Sequence, residues 1–293
     1  MATFYELNEQ AAGFYHWYAE KAKGILKYME SRGITKATRD AFGLGASPRY
    51  GDTLIRNLKK RLDATDQEIE EAGLAIRNDE GKLVDRFYSR MMIPIRDPEG
   101  RCIGFGARRV FGEKGAKYKN SPTSGHFEKK QTLYLFDRAK KGNIKSFVLC
   151  EGYMDAIRLQ EAGIDTAVAS LGTAVTKEHA ELMKQYKQSV IILTDMDEPG
   201  RKAAEKAVAT LRKEGMMPYV CSLEGAKDPD EYLQDHSREE LEHALRTSVD
   251  GRTYLISRIK DEFSKTGDAK SFADRLEKEL ESVDAILEWE KIL

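Results

Sequence analysis

Apolar positions recur along this chain in two periods, and the change of period marks its organisation. The stretch AAGFYHWYAEKAKGILKYMESRG (residues 11–33) repeats apolar residues every three to four positions, which predicts one amphipathic helix stopping near Gly33. DATDQEIEEAG (63–73) carries a capping box, Thr65 with Glu68, and a stop at Gly73. RMMIPIRDPEGRCIGFGARRVF (90–111) predicts two strands around an Asp-Pro-Glu-Gly turn. GFGARR within it is read as part of this hairpin, because no helix follows to make it a phosphate loop. From about residue 129 the pattern becomes an alternation. KSFVLC, TAVAS, VIILTD and MPYVCSL are short apolar strands, separated by helices expected at 153–162, 177–187 and 199–214. Strands apolar on both faces and joined by helices predict a parallel sheet covered on both sides. The last segment, from GRTYLISRIKDEFSKTG onward, is helical, charged and poor in glycine.

The fold class read from these patterns is α/β, in three parts. Residues 1–128 form a mixed α+β N-terminal subdomain, 129–248 a parallel-sheet α/β domain, and 249–293 a C-terminal helical bundle. A length of 293 residues suits more than one core, and 41% apolar with 33% charged residues suits a globular chain with a charged surface. No apolar run approaches membrane-spanning length, and the N-terminus lacks the order of a signal peptide, so the cell interior is expected. Cys102, Cys150 and Cys221 are far apart and read as buried small hydrophobes, with neither disulfide nor zinc. The net charge of −1 conceals an asymmetry: residues 86–130 hold 11 basic against 4 acidic residues, whereas residues 224–293 hold 11 against 19. A basic stretch folded into one groove attracts phosphate; scattered on a solvated face it attracts nothing in particular.

In an open parallel sheet, chemistry collects beyond the carboxyl ends of the strands. After FVLC comes Glu151, in EGYMD, with Asp155 one helical turn on. After VIILT come Asp195 and Asp197, and after YVCSLEGAK come Asp228 and Asp230. Three of the four strand ends deliver carboxylates, and so many fixed negative charges in one crevice repel unless cations offset them. Mg²⁺ prefers such oxygen ligands and shares its shell with substrate phosphates; pairs of such ions are common in phosphoryl transfer. The bland reading is a set of solvated turns and helix caps, where Asp is common. Tyr15, Trp17 and Tyr18 could stack bases, but on an amphipathic helix aromatics are read as core.

The order EGYMD, ASLGT, TDMDEPGRKAA, KDPDEYL resembles the Toprim domain of bacterial replicative primases, the DnaG-type RNA polymerases. Upstream, RFYSRMMIPIRDPEGRCIGFGAR, AKYKNSP and LYLFDRAK are similar to that family's N-terminal catalytic subdomain, and YMESRGI with FGLGASP to its beginning. The resemblance covers roughly residues 1 to 248. It implies primer synthesis by a nucleotidyltransferase, in which Glu151, Asp195 and Asp197 bind Mg²⁺ or Mn²⁺, with two ions expected. Asp228 and Asp230 would complete that site, with Asp155 behind them. It also implies a groove for template, RNA and incoming nucleotide lined by Arg32, Arg86, Arg90, Arg108, Lys117 and Lys129, with Asn120 and Ser121 on nucleotide phosphates. The departures are Met196 for the usual glycine, Pro199, which suits a first helical turn, and Tyr88, where many relatives have a basic residue. The implied partners are single-stranded DNA, ribonucleoside triphosphates and an RNA–DNA hybrid. The chain resembles an excised polymerase core, without the family's zinc-binding and helicase-docking domains, so no zinc is expected. A monomer, no membrane, and a place in the cytoplasm at the nucleoid's replication forks are expected. The alternatives are a Toprim nuclease or topoisomerase and a non-catalytic binding module. A topoisomerase would need a sizeable domain for its nucleophilic tyrosine, for which 293 residues leave no room.

Overall fold

The computed structural model describes residues 2–112, 116–193, 197–223, 225–226 and 228–280. Its contacts divide the chain into two units, Met1–Asn143 with Gly152–Thr173, and Ile144–Glu151 with Ala174–Leu293. The mixed α/β class read from the sequence is the class observed, with an antiparallel sheet in the first unit and parallel strands in the second.

In the first unit, α1 (Phe4–Ala19) begins at a capping box in which Thr3 N–H donates to Glu6 at 2.8 Å. The single helix expected over 11–33 is two: α1 ends at Ala19, and α2 (Lys23–Ser31) follows a turn at 20–22. Buried Tyr15, Ala19, Ile25 and Met29 keep helical phase across that turn, so periodicity cannot see it. After α3 (Lys36–Phe42) come β1 (Gly45–Ala46), α4 (Thr53–Leu62) and α5 (Asp66–Glu71), the last capped by Thr65 and Glu68 as expected. The strands β2 (Ala75–Arg77) and β3 (Leu83–Asp85) form a separate antiparallel pair. β4 (Arg90–Arg96) and β5 (Cys102–Arg109) flank the Asp-Pro-Glu-Gly turn, which Gly100 N–H closes on Asp97 O at 2.9 Å. With β6 (Tyr118–Asn120) they form an antiparallel sheet ordered β1-β4-β5-β6. The short helix α6 (Phe136–Ala139) follows.

The core of this unit lies where α1 and α4 cover one face of that sheet. Leu7, Ala11 and Tyr15 from α1 meet Leu54 and Leu58 from α4 over Met92, Phe105 and Ala107. Tyr15 is core as expected, but Trp17 is not. Its ring is 54% exposed, with the Lys21 ammonium 4.0 Å from its centroid.

One carboxylate in this core carries structural weight. Asp85, fully buried, accepts from Leu54 N–H at 2.9 Å and Ile55 N–H at 3.1 Å, capping α4 from another strand; Asp52, the residue before α4, makes no such side-chain bond. Burial outweighs those bonds and pushes its acid up to about 6. The folded chain therefore holds a proton that the unfolded chain releases near 3.8. Between those values stability should fall as pH rises, by up to about 3 kcal/mol from this group. Urea midpoints at pH 4.5 and 7 for wild type and Asp85→Asn test this: the advantage of wild type over the variant should shrink toward pH 7. An advantage that grows instead would mean that the carboxylate form is the favoured one.

The second unit opens with β7 (Ser146–Cys150); the chain then gives α7 (Tyr153–Glu161) and β8 (Ala167–Ala169) to the first unit. It returns with α8 (Lys177–Lys184), β9 (Ser189–Ile192), α9 (Glu198–Lys213) and β10 (Met217–Val220). β7 and β10 both pair with β9 in parallel. The interior positions of β7 and β9 are buried, as their continuous apolar runs require. Beyond the expected elements stand α10 (Pro229–Asp235), α11 (Arg238–Arg246) and β11 (Val249–Asp250), which pairs antiparallel with β10. α12 (Gly251–Thr266) and α13 (Ala269–Leu280) complete the described chain. Arg258 ties α12 to α9 through Glu205 at 2.8 Å and Glu198 at 3.0 Å, and Arg212 of α9 holds Glu279 of α13 at 2.7 Å. All three cysteines are buried thiols.

Candidate metal centre and cation cluster

In the second unit the parallel register fixes where the carboxylates leave the sheet. Leu149 lies opposite Ile192, and Ile192 opposite Val220, so the three strands end level. Glu151 leaves one residue beyond β7. Asp197 leaves β9's end by way of Thr194, Asp195 and Met196, which lie outside the described residues. Strands about 4.8 Å apart whose ends are level release their chains side by side.

Two of these acids cap helices. Asp197 caps α9, accepting from Gly200 N–H at 2.8 Å, and Pro199 occupies the first turn where its missing N–H costs nothing. Asp228 caps α10, accepting from Glu231 N–H at 2.9 Å, with Pro229 next. Each cap uses one carboxylate oxygen, so the turn-and-cap reading and the ligand reading are compatible at both positions. Asp230 is buried in the first turn of α10. Asp155 belongs to the first unit and accepts from Gly152 N–H at 3.1 Å, closing the start of α7. Among the described residues no three His, Cys, Asp or Glu side chains converge to hold a metal, and Asp195 is outside that set.

In the first unit the basic residues sort by strand face. Antiparallel partners share a face, and Lys119 lies opposite Ala107 whereas Tyr118 lies opposite Arg108. Arg108 is therefore turned to the other side from Lys119. It is nearly buried, donates to Tyr118 Oη at 3.0 Å, and lies 5.5 Å from the ring centroids of Tyr28 and Tyr118. On the same face Tyr153 Oη donates to Asn120 at 2.9 Å. Ser121 N–H donates to Phe105 O at 2.8 Å while its hydroxyl accepts from Phe105 N–H at 2.9 Å, so Ser121 extends the β5–β6 ladder.

Arg86 and Arg90 come together with Lys119, a residue that sequence reasoning passed over. Lys119 Nζ donates to Arg86 O at 3.3 Å, and Arg90 donates to Ala107 O at 3.3 Å. Burial lowers the Lys119 pKa, and the Arg86 and Arg90 charges lower it further. Burial also lowers that of Arg86, whose Nε has no hydrogen-bond partner. Among the described residues none of the three has a carboxylate within ion-pair distance. Three cations without a counter-charge are stabilised by an anion such as phosphate. The available signal was alternation: Lys119 stands two residues beyond Lys117, which immediately precedes the short strand. Lys117 is exposed at its edge, Lys129 sits in the turn before α6, and Arg32 is the C-cap of α2, its carbonyl held by the Arg158 side chain.

This pairing of an arginine- and lysine-bearing antiparallel sheet with carboxylates at parallel strand ends has clear relatives. The family description "DNA primase catalytic core, N-terminal domain" matches residues 14–140, and "Toprim-like" matches residues 148–233. The DNA primase of Clostridium acetobutylicum is 34% identical over 295 residues, covering 98% of this chain and 49% of that protein. The structure of the DnaG primase catalytic domain bound to ssDNA superposes with a TM-score of 0.78 at 31% identity, over 88% of this chain and 85% of that one. The zinc-binding and RNA polymerase domains of Aquifex aeolicus primase give 0.82 at 30%, over 97% and 73%. The fold is that of the DnaG primase catalytic cores, with a Toprim-like region. The chain belongs to the DnaG-type DNA primase family. It spans about half the length, or less, of the curated relatives it matches.

Proposed function

We propose that this chain is a DNA-dependent RNA polymerase core that makes short RNA primers on single-stranded DNA by nucleotidyl transfer. The observation that supports the reading is the level ending of β7, β9 and β10, since Glu151 directly follows β7 while Asp197 follows β9, and Asp228 and Asp230 follow β10, in the chain. Their all-oxygen, multiply charged donor set fits Mg²⁺ or Mn²⁺. Glu151, Asp195 and Asp197 would hold the ion, supported by Asp228 and Asp230; when bound it offsets charge on the phosphates and favours deprotonation of the attacking hydroxyl. Arg86, Arg90 and Lys119 hold backbone phosphates of the template without reading its bases. Asn120 and Lys117 are proposed to position the incoming nucleotide's phosphates. A replicative helicase and a zinc-binding domain are proposed partners, and the cytoplasmic replication fork the place of action. Among the described residues no helix is long and apolar enough to cross a membrane.

Incubation with single-stranded template, ribonucleotides and Mn²⁺ tests the reaction. Short RNA supports the reading; cut DNA would point to a nuclease, and neither to a binding module. The ion has its own readout. Mn²⁺ should raise the melting temperature by several degrees at 100 times its dissociation constant, rising further with the logarithm of its concentration. Acidification into the carboxylate range should remove the effect, because protonated acids are poor ligands. A melting curve indifferent to Mn²⁺ would leave these acids as caps and turns only.

A further inference from the structure

Tyr50 and Tyr88 meet ring to ring, and Tyr88 lies between Arg86 and Arg90 in the chain. The Tyr50 ring is 57% exposed, and Tyr88 meets it edge-on at 5.3 Å between centroids. A tyrosine combines a large apolar ring with a polar tip, which suits a wet binding surface. The two rings come from separate segments that the backbone ties together. Ser47 N–H donates to Arg90 O at 2.9 Å, Ser89 N–H to Pro48 O at 2.7 Å, and Asp85 N–H to Gly51 O at 2.7 Å. Ser89 adopts φ +52°, a conformation an L residue takes only where its surroundings hold it, and these bonds do so. The rings are thus set on a fixed frame, with Tyr88 two residues from Arg86 and two from Arg90.

We infer that Tyr50 and Tyr88 form a stacking platform for one unpaired base of the DNA template, beside a phosphate track made by Arg86, Arg90 and Lys119. The inference rests on the template-binding reading above and adds a base subsite to it. Every base has an apolar face, so an aromatic beside a cation track grips a single strand without regard to sequence. A duplex keeps its bases stacked on one another and offers this platform nothing. Single-stranded DNA is the partner that supplies both a phosphate for cations without a carboxylate and an unpaired base for exposed Tyr50 and half-buried Tyr88.

Fluorescence anisotropy with the full chain tests this, using a labelled single strand and a strand of the same length made of abasic sites. Tyr88→Leu should bind the base-bearing strand roughly tenfold more weakly than wild type, since stacking on one aromatic is commonly worth that factor or more. Tyr50→Leu should weaken it in the same sense, and Tyr88→Phe should restore binding because the ring and not the hydroxyl is used. On the abasic strand wild type and Tyr88→Leu should be equal, and the slope of log affinity against log salt should match on both strands. Equal affinity of wild type and Tyr88→Leu for the base-bearing strand overturns the platform while leaving template binding intact. So does a loss of equal size on the abasic strand. No salt-dependent binding by wild type at all would sink the template-binding reading with it.

Discussion

Asp197→Asn is expected to lower primer synthesis by about 100-fold or more while the metal-free chain melts no lower than wild type. The two halves of that expectation have different causes. Asn is nearly isosteric and caps helices about as well as Asp, so the bond from Gly200 N–H at 2.8 Å and the start of α9 should persist. The charge does not persist. An amide oxygen is a weaker ligand for a hard divalent ion than a carboxylate, and loss of even an outer-shell partner commonly costs 10–100-fold. Removing one negative charge from the proposed ligand set should also relieve whatever repulsion those acids exert on one another without metal. Asp197→Ala separates the effects further, because it should lose synthesis and about 1 kcal/mol of cap stability together. Synthesis assays beside melting curves, with and without Mn²⁺, read both. If Asp197→Asn keeps wild-type synthesis and the same Mn²⁺ response, Asp197 is a helix cap and nothing more.

What could be read from the sequence follows a physical line. β7 and β9 were visible because strands buried on both faces leave unbroken apolar runs, and their helices because glycine and proline punctuate them. The Thr65–Glu68 box and the Asp-Pro-Glu-Gly turn were visible because a few adjacent residues determine both. The turn at 20–22 was not, since the buried positions stay in phase across it. Nor was β11, whose two exposed residues carry no alternation and gain their place only by pairing with β10. The candidate site divides in the same way. The acids were legible because each follows a strand in sequence. The cation cluster was legible only in part, because Lys119 joins Arg86 and Arg90 through pairing across β5, a relation no local window contains. Asp85 shows the other failure. It reads as an ordinary acid near a turn, yet it caps a helix thirty residues earlier in the chain from inside the core.

Gly45→Ala is expected to be the most damaging single methyl addition in the first unit, lowering stability by about 3 kcal/mol or more. A Cβ there would lie 2.4 Å from Tyr15 C, 2.6 Å from Tyr15 O and 2.7 Å from His16 N. These are backbone atoms of α1, so no rotamer change can make room, and the helix or the strand must move. Neither is free to do so. β1 is paired with β4 through Gly45 opposite Met92, and His16 Nδ1 lies 2.9 Å from Leu44 O. α1 in turn carries Leu7, Ala11 and Tyr15 into the core, so its displacement loosens contacts on α4 and β5 as well. Overpacking in a dense core costs roughly 1–3 kcal/mol when side chains can yield, and more when they cannot. Gly13→Ala is the matched control. It lies within α1 with nothing inside 4 Å of the added methyl, and should instead gain about 0.5–1 kcal/mol from helix propensity. Urea midpoints of the two variants should therefore move in opposite directions from wild type. A Gly45→Ala midpoint at or above that of wild type would mean that α1 and β1 do not meet at this distance.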